Sequence, residues 1–179
     1  MLDNALISNI ISLLNSGLNS IGQAGILVKQ AYQPTQQGAN TAPTLYLHKI
    51  ADQRIGTVYR ANVWDATSST MVYTETQQYV TTFQISGLAT QDPTQTSGLT
   101  ASDIVNYAVY VMQSLATITA LEALGVGVLR VGDVRNPYFT DDRDRFEASP
   151  SFDFQLTHKQ IITGTQPIIT ETELDIYRI

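Results

Sequence analysis

The 179-residue chain contains no cysteine, which excludes disulfides, thiolate metal sites and cysteine nucleophiles. Basic residues are scarce, 10 against 16 acidic ones, so the formal net charge is −6. A protein that binds nucleic acid by neutralising phosphates needs clustered lysine and arginine, and the composition argues against that class. Charged residues make up only 15% and apolar residues 43%, a balance that favours a folded domain over disorder.

Long hydrophobic runs are also missing. Asn and Ser interrupt the apolar N-terminus well before membrane-spanning length. Asp3 stands where a signal peptide would carry positive charge. Gly17 and Gly22 are expected to mark the end of this segment. Apolar residues recur at helical spacing and predict an amphipathic helix within residues 1–24: Leu6, Ile10, Leu14, Leu18 and Ile21.

The motifs of common catalytic and ligand sites are absent or broken. The glycine-rich "GVGVLRVG" has Arg130 in place of the third glycine and runs from helix to strand, whereas phosphate binding needs strand to helix. His48 and His158 lie outside any metal-ligand spacing, and we expect surface or interface histidines. No GxSxG elbow occurs. We therefore predict no catalytic residue, no metal site and no cofactor.

The order of the predicted elements indicates an α+β fold with a mostly antiparallel β-sheet, helices packed on one face, and a preceding N-terminal amphipathic helix. A capping box at Thr100 and Asp103 opens the central helical region, which Gly125 closes. We predict a single domain over residues 1–179, with the α+β core in residues 25–179. The predicted strands are "ILVKQAY", "TLYLHKI", the hairpin "GTVYRANVW" and "TMVYTETQQYVTTFQISGLA", then "VGVLRVGDV", "SFDFQLTHKQII" and "IITETELDIYRI".

Two of these strands carry further expectations. "TLYLHKI" has apolar groups at both parities, which predicts a strand covered on both faces. "VGVLRVGDV" also has the pattern of a buried strand. In the hairpin, the middle of the second strand, "ETQQ", is polar on both faces, so Glu75 and Gln77 are expected to project into solvent or onto another subunit.

A dense charged stretch, "NPYFTDDRDRFEASPSFDF", follows the helical region. Interleaved arginines place positive charge where a cation would bind, and they favour ionised carboxylates that are poor general acids. A metal-assisted hydrolase using its aspartates is therefore the less favoured alternative. A solvated loop with ion pairs worth about 0–1 kcal/mol each is another. Arginine beside aromatic residues is typical of protein contact surfaces, and the candidate contact residues are Tyr138, Phe139, Asp141, Asp142, Arg143, Asp144 and Arg145.

A carbohydrate- or receptor-binding module would suit strands rich in threonine and tyrosine. Sugar platforms usually use several exposed aromatic residues, however, and Trp64 is the single tryptophan. This function therefore ranks low.

The sequence resembles the gp12-like neck-terminator proteins of tailed bacteriophages, and tail terminators more widely. The resemblance runs from about Gly25 to Ile179, with its segments in the expected order. It is carried by "LYLHKIADQRIGTVYR", "ETQQYVTTFQISGLATQDPTQTSGLTASDIVNYAVYVMQS" and "GVGVLRVGDVRNPYFTDDRDRFEASPSFDFQLTH".

The resemblance implies a virion structural protein without enzyme activity, assembled in the host cytoplasm. Such proteins form a ring, commonly a hexamer, at the head-proximal end of the tail tube, where they end tube polymerisation. The implied partners are further copies of the chain, tail tube protein, head-completion or neck proteins and possibly sheath protein, with no membrane. Genomic DNA would only pass through the lumen, and an acidic ring would not hold it. A head-completion or adaptor protein, or a tube protein, is the alternative.

Overall fold

The computed structural model describes residues 3–31, 42–89, 94, 96–140 and 146–166, with only the backbone at 138–140 and 146–148. Ten elements follow one another: α1 (Asp3–Ser20), β1 (Leu27–Gln30), β2 (Thr44–Asp65), β3 (Thr70–Leu88), α2 (Ala101–Gln113), α3 (Leu115–Ala123), β4 (Gly127–Val131), β5 (Tyr138–Thr140), β6 (Phe146–Ala148) and β7 (Ser151–Gln166).

Five of the strands form one sheet in the order β1-β2-β3-β7-β4. All neighbours are antiparallel except β1, which runs parallel to β2. β5 and β6 pair separately as a two-stranded ribbon. This mixed five-stranded sheet with three helices, of which α1 is the leading one, confirms the predicted α+β class.

The core lies between the helices and one face of the sheet. Alternate residues of β3 and β7 point to it, and Phe83 stacks on Phe154 with ring centroids 5.4 Å apart. Of the five apolar residues expected from the spacing, helix α1 buries four, whereas Ile21 follows the helix and is only partly buried. The largest fully buried side chains are Phe83, Phe152, Phe154, Leu6, Ile10, Leu14, Leu18, Leu45, Leu47, Ile85, Ile104 and Met112.

The helical region begins at the predicted capping box. Asp103 donates its backbone N–H to Thr100 Oγ1 at 3.1 Å, and the Thr100 N–H donates to Asp103 Oδ2 at 2.9 Å. Ser114 separates α2 from α3, which bend by 55°. In the described part of the chain no single helix is long and apolar enough to cross a membrane; this bent pair meets the criterion by length and composition only.

Two strand interpretations from the sequence were wrong. Leu45 and Leu47 of β2 are buried, but Tyr46 on the opposite face is only partly buried, because helices cover one face of the sheet. β4 is an edge strand whose Leu129 is 58% exposed, so its apolar run does not mark a buried strand. The segments predicted as separate strands before the hairpin turn are one continuous strand, β2.

Candidate functional site: a projecting three-stranded arm

Half of the sheet extends beyond the helices as a three-stranded ribbon. We call it the arm and define it as residues 50–65 of β2, 70–78 of β3 and 159–166 of β7. Every residue in 50–60 and 159–166 is exposed. At about 3.4 Å per residue, the β3 portion spans about 30 Å.

The two faces of the arm differ in charge. On one face Arg60 lies opposite Glu75, and its Nε donates to Glu75 Oε1 at 2.9 Å. The hydroxyl of Tyr73 donates to the same oxygen. These hydrogen bonds, from Tyr73 and then Arg60, lower the pKa of Glu75. The carboxylate of Glu75 is therefore bound by two side chains of the same arm.

The opposite face of the arm carries Lys159 beside the bulge described next and Asp65 at the tip, with no charged side chain between them. Cross-strand register places three rows of residues on it. Each row contains at least one threonine or valine, which suits a strand surface. The rows are Tyr59, Thr76 and Ile161; Ala61, Thr74 and Thr163; and Val63, Val72 and Thr165.

A bulge interrupts the β2 side of the arm. The register between β2 and β3 shifts between Ile55 and Tyr59, and Gly56 adopts φ of +67° there, a conformation that glycine tolerates best. Gln77 donates through Nε2 to the carbonyl of Ile55 at 2.9 Å and to that of Gln78 at 3.0 Å. Gln77 thus stabilises the bulge, and bulges often end strand pairing or redirect it.

A polar network lies at the root of the arm, where the covered part of the sheet ends. Lys49 on β2 contacts Asp3 of α1 at 2.6 Å and Asp52 at 2.5 Å. Thr81 on β3 donates its hydroxyl to Asp52 Oδ1 at 2.7 Å and lies 2.9 Å from Nε2 of His158 on β7. The network therefore joins one helix and three strands.

The hydrogen bonds at the root fix the tautomer of His158. Because the Thr81 hydroxyl donates to Asp52, it can only accept from the histidine, which places the ring proton on Nε2. Nδ1 is buried and has no partner among the described atoms. His158 is 6% exposed, stacked on Tyr79 at 5.7 Å, and burial lowers its pKa.

Lys49 and Asp52 at the root are held charged. Burial alone would lower the pKa of Lys49, but its hydrogen bonds to Asp3 and Asp52 outweigh burial and raise it. Burial would likewise raise the pKa of Asp52, but hydrogen bonds from Lys49 and Thr81 lower it. The arm is therefore anchored by ion pairs and by one neutral histidine.

A polar pocket lies on the uncovered face of the sheet, next to the segment that leads into β5. Arg135 pairs with Asp153 at 2.5 Å, and Gln84 donates to Asp153 at 3.0 Å. The volume of the pocket is about 380 Å³. Its lining comprises Thr82, Arg130, Gly132, Asp133, Arg135, Asp153 and Gln155.

The residues predicted as contact sites fall into two regions. Glu75 and Gln77 lie on the arm, and the side chain of each forms hydrogen bonds within the chain. Tyr138 and Phe139 lie in β5, for which only the backbone is described. The remaining predicted contact residues lie outside the described part of the chain: Asp141, Asp142, Arg143, Asp144 and Arg145.

Sequence reasoning missed the network at the root. The expectation that His158 is a surface or interface residue was wrong, since it is buried. A signal was present, because His158 continues the inward parity of Phe152, Phe154 and Leu156. Thr81 also shares the inward parity of Phe83. No pattern in the sequence pairs Thr81 with Asp52, however, since they meet only across the register of β2 and β3.

Among the described residues, no group of three or more histidine, cysteine, aspartate or glutamate side chains is placed to hold a metal ion. The aspartates of the alternative hydrolase site were not among them.

A long uncovered ribbon of strands presents exposed sheet edges, to which a strand of another chain can add. A protein-family model described as E217 gateway protein gp29 matches residues 5–168. The chain therefore belongs to this family, and it is a structural protein of the phage neck, between head and tail. A search of curated proteins gives no match. The predicted resemblance to structural proteins of the phage neck is therefore confirmed.

Proposed function

We propose that the chain forms a closed ring of six copies at the head-proximal end of the phage tail tube. There the ring ends tube polymerisation and joins the tail to the neck. The observation that carries the proposal is the arm. Its exposed apolar side chains, including Tyr59 at 68% and Val63 at 62%, are unusual for a monomer and suit burial against neighbouring subunits.

In this proposal the protein has no enzyme activity and holds no cofactor, and DNA passes through the lumen of the ring. The net charge of −6 supports unhindered passage, because an acidic surface repels phosphates. The proposed neighbours are tail tube protein, sheath protein, and head-completion or neck proteins.

The size of the assembled protein tests the ring. Native mass spectrometry of the purified chain, alone and with tail tube protein, is expected to show a closed oligomer, and negative-stain images should show a ring. Added chain should also limit the length of polymerising tubes. Monomers that neither assemble nor cap tubes would contradict the proposal.

A second candidate is a neck ring that does not end the tube, such as a head-completion or adaptor protein. The family description, a gateway protein, favours it. It predicts the same ring mass but tubes of unchanged length, and the ring should instead bind purified neck proteins.

The hydrolase alternative has a separate test. It needs divalent metal at Asp141, Asp142 and Asp144, so alanine at all three should abolish metal binding measured by elemental analysis. Unchanged metal content would eliminate it.

A further inference from the structure

We propose that the arms of neighbouring copies join edge to edge, with β7 of one copy pairing in parallel with β2 of the next. The proposal rests on the ring proposed above and names the contact that would build it. It follows from the two edges of the arm, the direction of its strands and the chemistry of β7.

The arm has two long edges on opposite sides. β1 pairs only with residues 44–47 of β2, and β4 pairs only with residues 154–157 of β7. Beyond these short partners, residues 51–65 of β2 and 160–166 of β7 have β3 on one side and no further strand on the other, within the described chain. Backbone N–H and C=O groups at such edges are ready to pair with another strand.

The β7 edge lacks the features that block strand addition. Natural edges are usually protected by charges, prolines or bulges. Residues 160–166, "QIITGTQ", contain no charged residue and no proline. Their register with β3 runs without a shift. Ile161 and Ile162 are both 60% exposed. This edge is therefore open to pairing.

Strand direction favours a second copy of the chain as the occupant. β2 and β7 are both antiparallel to β3, so they run parallel to each other on opposite sides of one arm. Rotation about an axis along the arm keeps that direction, and β7 of one copy then meets β2 of the next in parallel. Two different surfaces that bind each other form a heterologous contact, which closes into a ring when the rotation allows.

The side chains at such a junction are compatible with each other. Tyr59, Ala61 and Val63 of β2 lie on the same face as Ile161, Thr163 and Thr165 of β7, and none of the six is charged. Pairing the two edges would continue these three rows from copy to copy, without like charges opposite each other.

Engineered disulfides test the junction, since the chain has no cysteine of its own. Ala61 and Thr163 lie in one row of the arm, on either side of Thr74. Two strand spacings, about 9–10 Å, separate them within one chain. A disulfide needs Cα atoms within about 7 Å, so any bond that forms links two chains. Ala61→Cys is combined in turn with Ile161→Cys, Thr163→Cys or Thr165→Cys, because each choice samples a different register.

At least one double variant is expected to give a series of disulfide-linked oligomers larger than the dimer on non-reducing gels. Reduction should convert this series to the monomer. Each single variant should give no species larger than a dimer. If all three double variants keep the ring mass but none gives such a series, the edge junction is overturned, while the proposed ring is not. Efficient formation of disulfide-linked dimers by Thr163→Cys alone would indicate that β7 pairs with β7, which would also overturn the junction of β7 with β2. An unmodified chain that never forms a ring would overturn both proposals.

A charge at the edge gives an independent check. Ile161→Lys is expected to reduce the fraction of chain in rings at least tenfold by native mass spectrometry. Leu115→Lys on α3 is the matched control, because Leu115 is 78% exposed and lies away from the arm. Circular dichroism verifies that both variants fold. Equal ring formation by the two folded variants would contradict the junction.

Discussion

The hydroxyl of Thr81 connects the Asp52 carboxylate to a buried histidine, and its removal leaves Nε2 of His158 without its partner. We expect Thr81→Val to lower the free energy of unfolding by about 1–3 kcal/mol, because buried unsatisfied groups are costly. Urea unfolding measures the change. Thr76→Val is the matched control, since it makes the same exchange of atoms on the same strand in the arm. Similar losses for the two variants would contradict the role of the network.

His158 should make stability depend on pH. Its pKa in the folded protein is lowered by burial, so the unfolded chain takes up a proton first as the pH falls. Its contribution is therefore fully present above its ordinary pKa of 6.5 and is lost as the pH falls from there to the folded value. Unfolding by urea between about pH 7 and pH 5 measures this slope, which His158→Gln should flatten. An unchanged slope would show that other groups cause it.

Asp52 acts in a lower range of pH. Its pKa is lowered, so its contribution is present above the ordinary value of 3.8 and is lost as the pH falls through the folded value. His158 and Asp52 lose their contributions to stability over different pH ranges, so one pH titration of the free energy of unfolding distinguishes them. The root of the arm should therefore loosen in two steps as the solution becomes acidic.

At the scale of elements, α1 and α2 meet through a glycine. A Cβ atom at Gly17 would lie 2.3 Å from Cγ1 of Val111. Of the two glycines expected to mark the end of the helix, Gly22 follows Ser20 with φ of +78°, whereas Gly17 lies within α1. The helix keeps its glycine at this position because the neighbouring helix passes close by.

Gly17→Ala is expected to cost about 1–3 kcal/mol of stability through overpacking. Val111→Ala in the same chain should recover part of the loss by making room. Gly25→Ala serves as the control, because nothing lies within 4 Å of a Cβ atom there. Thermal or urea unfolding measures all three. Equal stability of the Gly17 and Gly25 variants would contradict close packing.

At the scale of the whole molecule, the charged stretch after Arg135 remains a predicted contact. Asp142→Ala or Arg145→Ala is expected to weaken ring assembly or docking to neck proteins while the monomer stays folded, because mixed charges set the register of a contact. Native mass spectrometry and circular dichroism measure the two properties. If both variants assemble and dock normally, the stretch is a solvated loop.

The C-terminal residues give a second prediction at this scale. Residues 173–179, "ELDIYRI", have the pattern of a strand that adds to a neighbouring subunit or to tube protein. They lie outside the described residues. Their deletion is expected to lower the ring mass by loss of subunits; an unchanged number of subunits would count against this segment as an interface.

Local patterns in the sequence determined most of the elements. Apolar spacing defined α1, and the capping box at Thr100 and Asp103 defined the start of α2, because both depend on residues three or four apart. The polar turn "DATSS" located the hairpin, since turn chemistry is local. Composition also indicated one folded domain, but whether residues 1–179 form a single domain stays a prediction.

Tertiary structure alone decided which strands are covered and where the polar network forms. Two strands with similar apolar content differ in burial: Leu47 of β2 lies under the helices, while Leu129 of β4 lies at a sheet edge. Thr81 lies opposite Asp52, and His158 lies opposite Tyr79, two residues along β3 on the same face, so the pairing of three strands brings together residues up to 106 positions apart. The sequence by itself determined the local elements because their hydrogen bonds are local. The arm, its root and its two edges depend on which strand lies beside which, and that choice is made only when the whole sheet folds.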